Sequence, residues 1–239
     1  MLFRSGCVLC RTCNSFPCRI GKKGDADVCA VRPALERSAV TLRTRMYVER
    51  LVTDGGGTRV DAVEARDANG QRHRFRAPLV IVSAGAVNSA ALLLRSATPQ
   101  HPNGLANSSD LVGRHYMAHL STMLEGFRPR FSTNVDEFQK TLAVNDFYLK
   151  GPRGYPLGQI QSQGRTDATM AKAVGDSWTY RGRHVWRWIP RWAYGAWVAR
   201  ATDWLAMTED LPRPENRVRL AADGRIVVEY TPSNLAAHR

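Results

Sequence analysis

The sequence predicts an α/β (α+β) fold, a β-meander joined to a strand–turn–helix unit and followed by part of a second, antiparallel sheet. Three observations predict it. Apolar residues alternate between Met46 and Phe75 and are interrupted by DGGGT and DANGQ, which makes three strands joined by tight turns. Leu79–Val82 is continuously apolar and runs through Ser83, Ala84 and Gly85 into a leucine-rich stretch, the layout of a buried parallel strand, a small-residue turn and a helix. Alternation returns between Arg128 and Gln163.

Taken in order, Asp27–Arg37 reads as a short helix with Pro33 near its first turn, where the missing N–H does no harm, and Cys29 is expected in a core. Val40–Leu42 is a short β-branched run. Met46–Thr53, Val60–Ala65 and His73–Phe75 are the meander strands. Val87–Ser96, with Leu92, Leu93 and Leu94, is the helix after the turn, and Pro99–Asp110 is polar loop. Trp178–Leu205, with Trp178, Trp186, Trp188, Trp192, Trp197 and Trp204, is expected on one or two helices broken at Pro190, the tryptophans buried because tryptophan supplies packing area. With Arg183, Arg187 and Arg191, the same stretch also suits a membrane interface or a partner subunit. Arg217–Leu220 and Arg225–Tyr230, around AADG, make a hairpin.

The 239 residues carry 44% apolar side chains, enough for a packed core, and a net charge of +13. The arginines are spread along the chain with no recognisable nucleic-acid module, so no nucleic-acid partner is expected. No run of about 18 uncharged apolar residues occurs, and MLFRSGCVLC has no apolar core of signal-peptide length. No compartment follows from this.

The residues LVIVSAGAVNSAALLLRSA, Leu79–Ala97, resemble the second signature of the glucose–methanol–choline (GMC) oxidoreductases, flavoproteins that oxidise alcohols and sugars with FAD; Ala90 stands where the family has proline. LVGRHYMAHL, Leu111–Leu120, is similar to the family's Val-Gly-x-Asn-x-x-Asp-His segment, with His115 and Ala118 as departures. FQKTLAVNDFYL, LGQIQSQG and TEDLPRPENRVRL resemble substrate-domain segments of its bacterial cytochrome-linked branch. The resemblance implies that residues 1–120 are the central part of an FAD-binding domain: a Cys-rich segment at 7–18, the meander at 40–76 and the strand–turn–helix at 79–96. Residues 121–239 would be part of a substrate-binding domain. The family's G-x-G-x-x-G turn and its catalytic histidine have no counterpart in these residues, so an internal fragment, inactive alone, is expected.

On the same resemblance, the backbone of Val48 would meet the adenine of FAD, while an ordinary core position on the strand remains the alternative. Ser83, Ala84 and Gly85 would lie under the adenosine or pyrophosphate, where a larger side chain would displace the cofactor; close helix–sheet packing is the alternative. The chemistry implied is hydride transfer from the CH–OH carbon of an alcohol, sugar or polyol to the flavin, with a cytochrome c or small subunit as electron acceptor. His115 and His119 fall in a segment the family places near the flavin, and neither is assigned as the base.

Cys7, Cys10, Cys13 and Cys18 have the spacing C-x2-C-x2-C-x4-C, one residue longer than a ferredoxin run and too compact for paired zinc knuckles. An iron–sulfur cluster, free thiols or a disulfide, and another metal all stay open. Two rival functions complete the expectations: a Cys-ligated basic protein binding nucleic acid, and a non-catalytic module binding a partner or a membrane surface.

Overall fold

A computed structural model describes residues 6–8, 17–127, 142–151, 157–163, 168–177 and 184–238. In chain order the elements are α1 (Arg32–Leu35), β1 (Met46–Thr53), β2 (Val60–Asp67), β3 (Arg72–Phe75), α2 (Gly85–Arg95), β4 (Leu120–Phe127), β5 (Ala143–Val144), β6 (Gly158–Ser162), α3 (Ala168–Ser177), α4 (Arg191–Val198), β7 (Ala201–Thr208), β8 (Arg217–Leu220), β9 (Ile226–Glu229) and α5 (Leu235–His238). The chain divides into two compact units. Thr41–Ala118 and Asp210–Ala236 form the meander unit; Met1–Val40, His119–Glu209 and Ala237–Arg239 form the sheet unit.

In the meander unit, β1, β2 and β3 pair antiparallel in that order. The turns close as their sequences require. The Asp54 carboxylate accepts the backbone N–H of Thr58 and of Arg59, and Asp67 accepts those of Asn69 and Gln71, with Gly70 at φ +82°. Between Val48 and Arg50 the register slips, leaving Glu49 unmatched across the ladder; its carboxylate pairs instead with Arg66 at 2.6 Å.

Helix α2 lies on this meander. Leu51, Leu92 and Leu105 form the core, flanked by Val60, Val63, Val80, Val82 and Leu93. Ser96, buried, accepts the N–H of Leu51 at 2.8 Å and donates to the Leu92 carbonyl at 2.7 Å, tying the end of the helix to the strand. The loop after α2 passes close over it, since a Cβ on Gly104 would stand 2.8 Å from the Leu94 Cα. The β8–β9 hairpin, grouped by sequence position with residues 121–239, folds with this unit. Val218 donates its N–H to the Gly113 carbonyl at 2.7 Å, and Tyr116 donates to Asn216 at 2.9 Å.

The sheet unit holds a four-stranded antiparallel sheet in the order β4-β7-β6-β5. Every described residue of β4 from Ser121 onward is exposed. Helices α3 and α4 meet at Gly175, where a Cβ would run into the phenol of Tyr194, itself 1% exposed. Residues 128–133 of FRPRFST, Trp178 and the side chain of Trp186 lie outside the described residues.

Five expectations need correction. Leu79–Val82 is not a strand: Val80 and Val82 face the core while Leu79 and Ile81 are 73% and 80% exposed. A parallel strand needs partners at its edges and cover on both faces, and the described residues cover only one face. Val40–Leu42 is exposed coil with no ladder partner among the described residues. Cys29 is exposed, on a π-helical turn (Asp27–Val31) that runs into α1, and neither of these two segments buries a residue. Ala201–Leu205, expected on a helix, belongs to β7, which pairs with β4 on one edge and β6 on the other; that two-sided ladder overrides the Ala and Leu preference for helix. Trp188 and Trp192 are 88% and 76% exposed and do not serve a core: Trp188 ends a 3-10 turn (Val185–Trp188), and Trp192 lies in the first turn of α4, two residues and so about half a turn from buried Tyr194.

Candidate functional site

The turn into α2 is exposed at Ser83, Ala84 and Gly85. Gly85 has φ +80°, a conformation that L side chains rarely adopt, and nothing lies within 4 Å of the place its Cβ would take. The left-handed turn favours glycine, and no described residue packs against the position of its missing side chain. The helix has no side-chain cap at Ala84, whose own N–H donates to the Ser89 hydroxyl at 3.0 Å. First-turn amides with no side-chain cap, at the positive end of an 11-residue helix, suit a negatively charged group.

Val48 is 36% exposed on β1, the edge strand of the meander, and lies opposite Ala65 beside the register slip. A core position is thereby excluded. An edge strand presents alternate N–H and C=O groups, which is the donor–acceptor pair that the rim of a planar heterocycle can meet. Val48 and the Gly85 turn belong to the same unit, and the Ser96–Leu51 hydrogen bond fixes the far end of α2 to the strand that carries Val48.

Among the described residues the histidines stand apart from one another, and His73 pairs with Asp67 at 2.9 Å. His115, at φ +59°, and His119 are exposed and make no hydrogen bond among the described residues. The ring of His238 sits between two hydroxyls of the sheet unit, Thr122 at 2.7 Å and Thr208 at 2.8 Å, so both its nitrogens are engaged. A cavity of about 330 Å³ on the meander is lined by Arg59, Val60, Asp61, Arg76, Ala77 and Pro78, none of them a predicted site residue.

Of the four clustered cysteines, Cys7 and Cys18 are half-buried, and Cys10 and Cys13 lie outside the described residues. The Cys18 sulfur accepts the backbone N–H of Lys22 at 3.3 Å, in a turn that Gly21 closes at φ +63°. Among the described residues no group of three or more His, Cys, Asp or Glu side chains is placed to hold a metal ion.

Sequence reasoning missed the polar node at Asp210. Its carboxylate, 6% exposed, accepts the N–H groups of Leu211, Ser233 and Asn234 and the hydroxyls of Ser233 and Tyr230. Burial pushes this carboxyl up, but the Ser233 and Tyr230 hydroxyls and the Ser233 and Leu211 amides outweigh it and hold it at about 2. Burial, and then the Asp210 carboxylate, push the Tyr230 phenol up to about 12. In sequence the partners stand some twenty residues apart with no periodic trace; the Asp after Glu209 and before Leu-Pro was the only cue.

A family model described as GMC oxidoreductase matches residues 4–121. Paromamine 6'-oxidase of Streptomyces fradiae is 31% identical over 96% of this chain and 40% of its own length. 6'''-Hydroxyparomomycin C oxidase of Streptomyces lividus is 41% identical over 52% of this chain and 22% of its own. 2-Methyl-1,2-propanediol dehydrogenase of Mycolicibacterium austroafricanum is 30% identical over 77% and 33%. The chain thus spans well under half the length of each of these relatives.

Proposed function

The chain belongs to the glucose–methanol–choline oxidoreductases, and from that premise we propose that it supplies part of the FAD site and part of the substrate domain of an alcohol-oxidising flavoenzyme. The observation that carries the cofactor reading is the turn at Gly85: left-handed, exposed, with free space where a side chain would stand. Ser83, Ala84 and Gly85 would hold the adenosine–pyrophosphate part of FAD, whose negative charge the α2 amides attract. Val48 would read the adenine edge with its backbone. When bound, FAD supplies the hydride acceptor for an alcohol, sugar or polyol CH–OH. The chain's own part is to orient the dinucleotide and keep bulk away from it.

In this reading electrons pass on to a cytochrome c or a small subunit, which cytochrome reduction, as against oxygen consumption, would test. The cysteines enter the same proposal as thiolate ligands, Cys7, Cys10, Cys13 and Cys18 together; an amide N–H on the Cys18 sulfur supports it, because such a bond stabilises a thiolate. Elemental analysis decides between iron with sulfide and another metal, and metal-free protein removes the idea.

The cofactor reading is tested with a matched pair in the full-length protein. Gly70, in the β2–β3 turn, has φ +82° and, like Gly85, nothing within 4 Å of its Cβ position. Gly85→Val and Gly70→Val thus carry the same backbone strain. Flavin absorbance per folded protein should fall roughly tenfold or more in Gly85→Val and hold in Gly70→Val. Equal flavin content in the two variants would remove the assignment of this turn.

A further inference from the structure

We propose that Trp188 and Trp192, with Arg187 and Arg191, form a docking surface for an anionic phospholipid bilayer. The inference is independent of the flavin reading. Trp188 is 88% exposed and Trp192 76%, an unusual state for two indoles four residues apart. Arg187 and Arg191, each preceding one of these tryptophans, are exposed too. Between His184 and Ala199 the chain has Arg187 and Arg191 and no Asp or Glu, so the stretch carries only positive side-chain charge.

The patch is built on a firm support. Lys172 on α3 pairs with Asp176 at 2.9 Å and reaches the carbonyls of Arg187 and Ile189, which brackets the residue carrying the Trp188 indole. Buried Tyr194, packed against Gly175, seats α4 against α3 and leaves Trp192 outward. Both indoles are therefore displayed by packing elsewhere.

A bilayer surface offers what this combination lacks in water. Indole settles at the headgroup boundary, where its ring is in an apolar medium and its N–H still finds oxygen. Guanidinium matches phosphate with paired hydrogen bonds. The charge of +13 on the chain adds attraction to an anionic leaflet. No helix among the described residues is long and apolar enough to cross a membrane, and the proposal concerns surface attachment.

The test uses the full-length protein with vesicles of phosphatidylcholine alone or with about one-third phosphatidylserine. Co-sedimentation is expected with the anionic vesicles only, lost at about 0.5 M salt, with tryptophan emission quenched by bromine-labelled lipid. Arg187→Gln with Arg191→Gln should lower partitioning about 25-fold, and Trp188→Ala with Trp192→Ala roughly tenfold. Arg72→Gln with Arg74→Gln, exposed arginines of β3, removes equal charge elsewhere and should change partitioning less than the patch pair. Failure to bind anionic vesicles overturns the proposal, as does an equal loss from the β3 pair, or capture of an acidic protein by a patch that ignores vesicles.

Discussion

The meander unit and the sheet unit are both built from antiparallel strands with alternating sequences, yet β1 and β2 bury Leu51, Ala62 and Ala65 while β4 leaves seven of its eight residues exposed. The meander has its cover close by in the chain: α2 follows 25 residues after the β1–β2 hairpin begins its return, and the β8–β9 hairpin folds with the same unit. The described residues lay no such cover over β4; α3 and α4 pack mainly on each other, at Gly175 and Tyr194. Hydrogen-bonded ladders alone thus make a sheet, and a core appears only where an element of the same unit closes one face. Exposed Met123, Leu124 and Phe127 on β4 are the counterpart of exposed Leu79 and Ile81 in the other unit.

The sharpest way to break this contrast is Gly113→Val. A Cβ there would collide with the Val218 carbonyl, and Gly113 holds φ +86°, so the seam between residues 113–116 and β8 should open at a cost of about 3 kcal/mol or more. Hydrogen exchange at Val218 and Tyr116 would report it, and unchanged protection would mean that the seam adds nothing to the unit. Next comes a matched pair of truncations. Leu92→Ala should cost about 2–4 kcal/mol, because Leu92 is 8% exposed in the core, whereas Met123→Ala, 52% exposed on β4, should cost about 0.5 kcal/mol or less. Comparable losses measured by denaturant unfolding would show that β4 is covered after all.

A smaller effect separates the units by acid. Asp210 is held at about 2, below its ordinary 3.8, so its stabilising charge is fully present above pH 3.8 and is lost as the pH falls towards 2. Asp210→Asn should cost the meander unit about 1–3 kcal/mol at neutral pH, where several amides and two hydroxyls lose a charged acceptor. The variant should also flatten the acid limb of the unit's unfolding curve. A variant as stable as the parent at pH 7 would reduce the node to a surface feature.

What the sequence disclosed and withheld follows the same division. Turns whose chemistry is local, Asp54 with Thr58 and Asp67 with Gly70, were legible residue by residue, as were the period of β1 and β2 and the extent of α2. The Gly85 turn was legible as a small-residue break, although its left-handed φ in open space follows from the fold and leaves no trace in the sequence beyond the glycine itself. Leu79–Val82 misled because a continuous apolar run reports cover on two faces without saying which chain segment supplies it. Trp188 and Trp192 misled because tryptophan type indicates packing area but carries no sign of the side on which a short helix begins. Asp210 was invisible, its partners at Tyr230 and Ser233 being long-range and aperiodic.

The smallest expected effect belongs to the sheet unit and has the opposite sign. Glu125 on β4 stands directly across from Asp203 on β7, and burial, followed by that neighbouring carboxylate, holds its carboxyl above the ordinary 4.5. A group raised in the folded state keeps its proton longer there than in the unfolded chain. Its contribution is therefore most favourable in acid, below the ordinary value, and is lost as the pH rises through the raised one. Glu125→Gln removes the like-charge opposition and should stabilise the sheet unit at neutral pH by about 0.2 kcal/mol, the low end for cross-strand pairs because the side chain, although partly desolvated, still reaches solvent that screens the pair. All six tryptophans lie between Trp178 and Trp204, within the sheet unit, so tryptophan emission during denaturation reads this unit alone. The gain should shrink to nothing as the pH is lowered below 4.5, while hydrogen exchange in the meander unit stays unchanged. A Glu125→Gln variant that is destabilised at pH 7 would show that the carboxylate makes a favourable contact on β4 that outweighs Asp203.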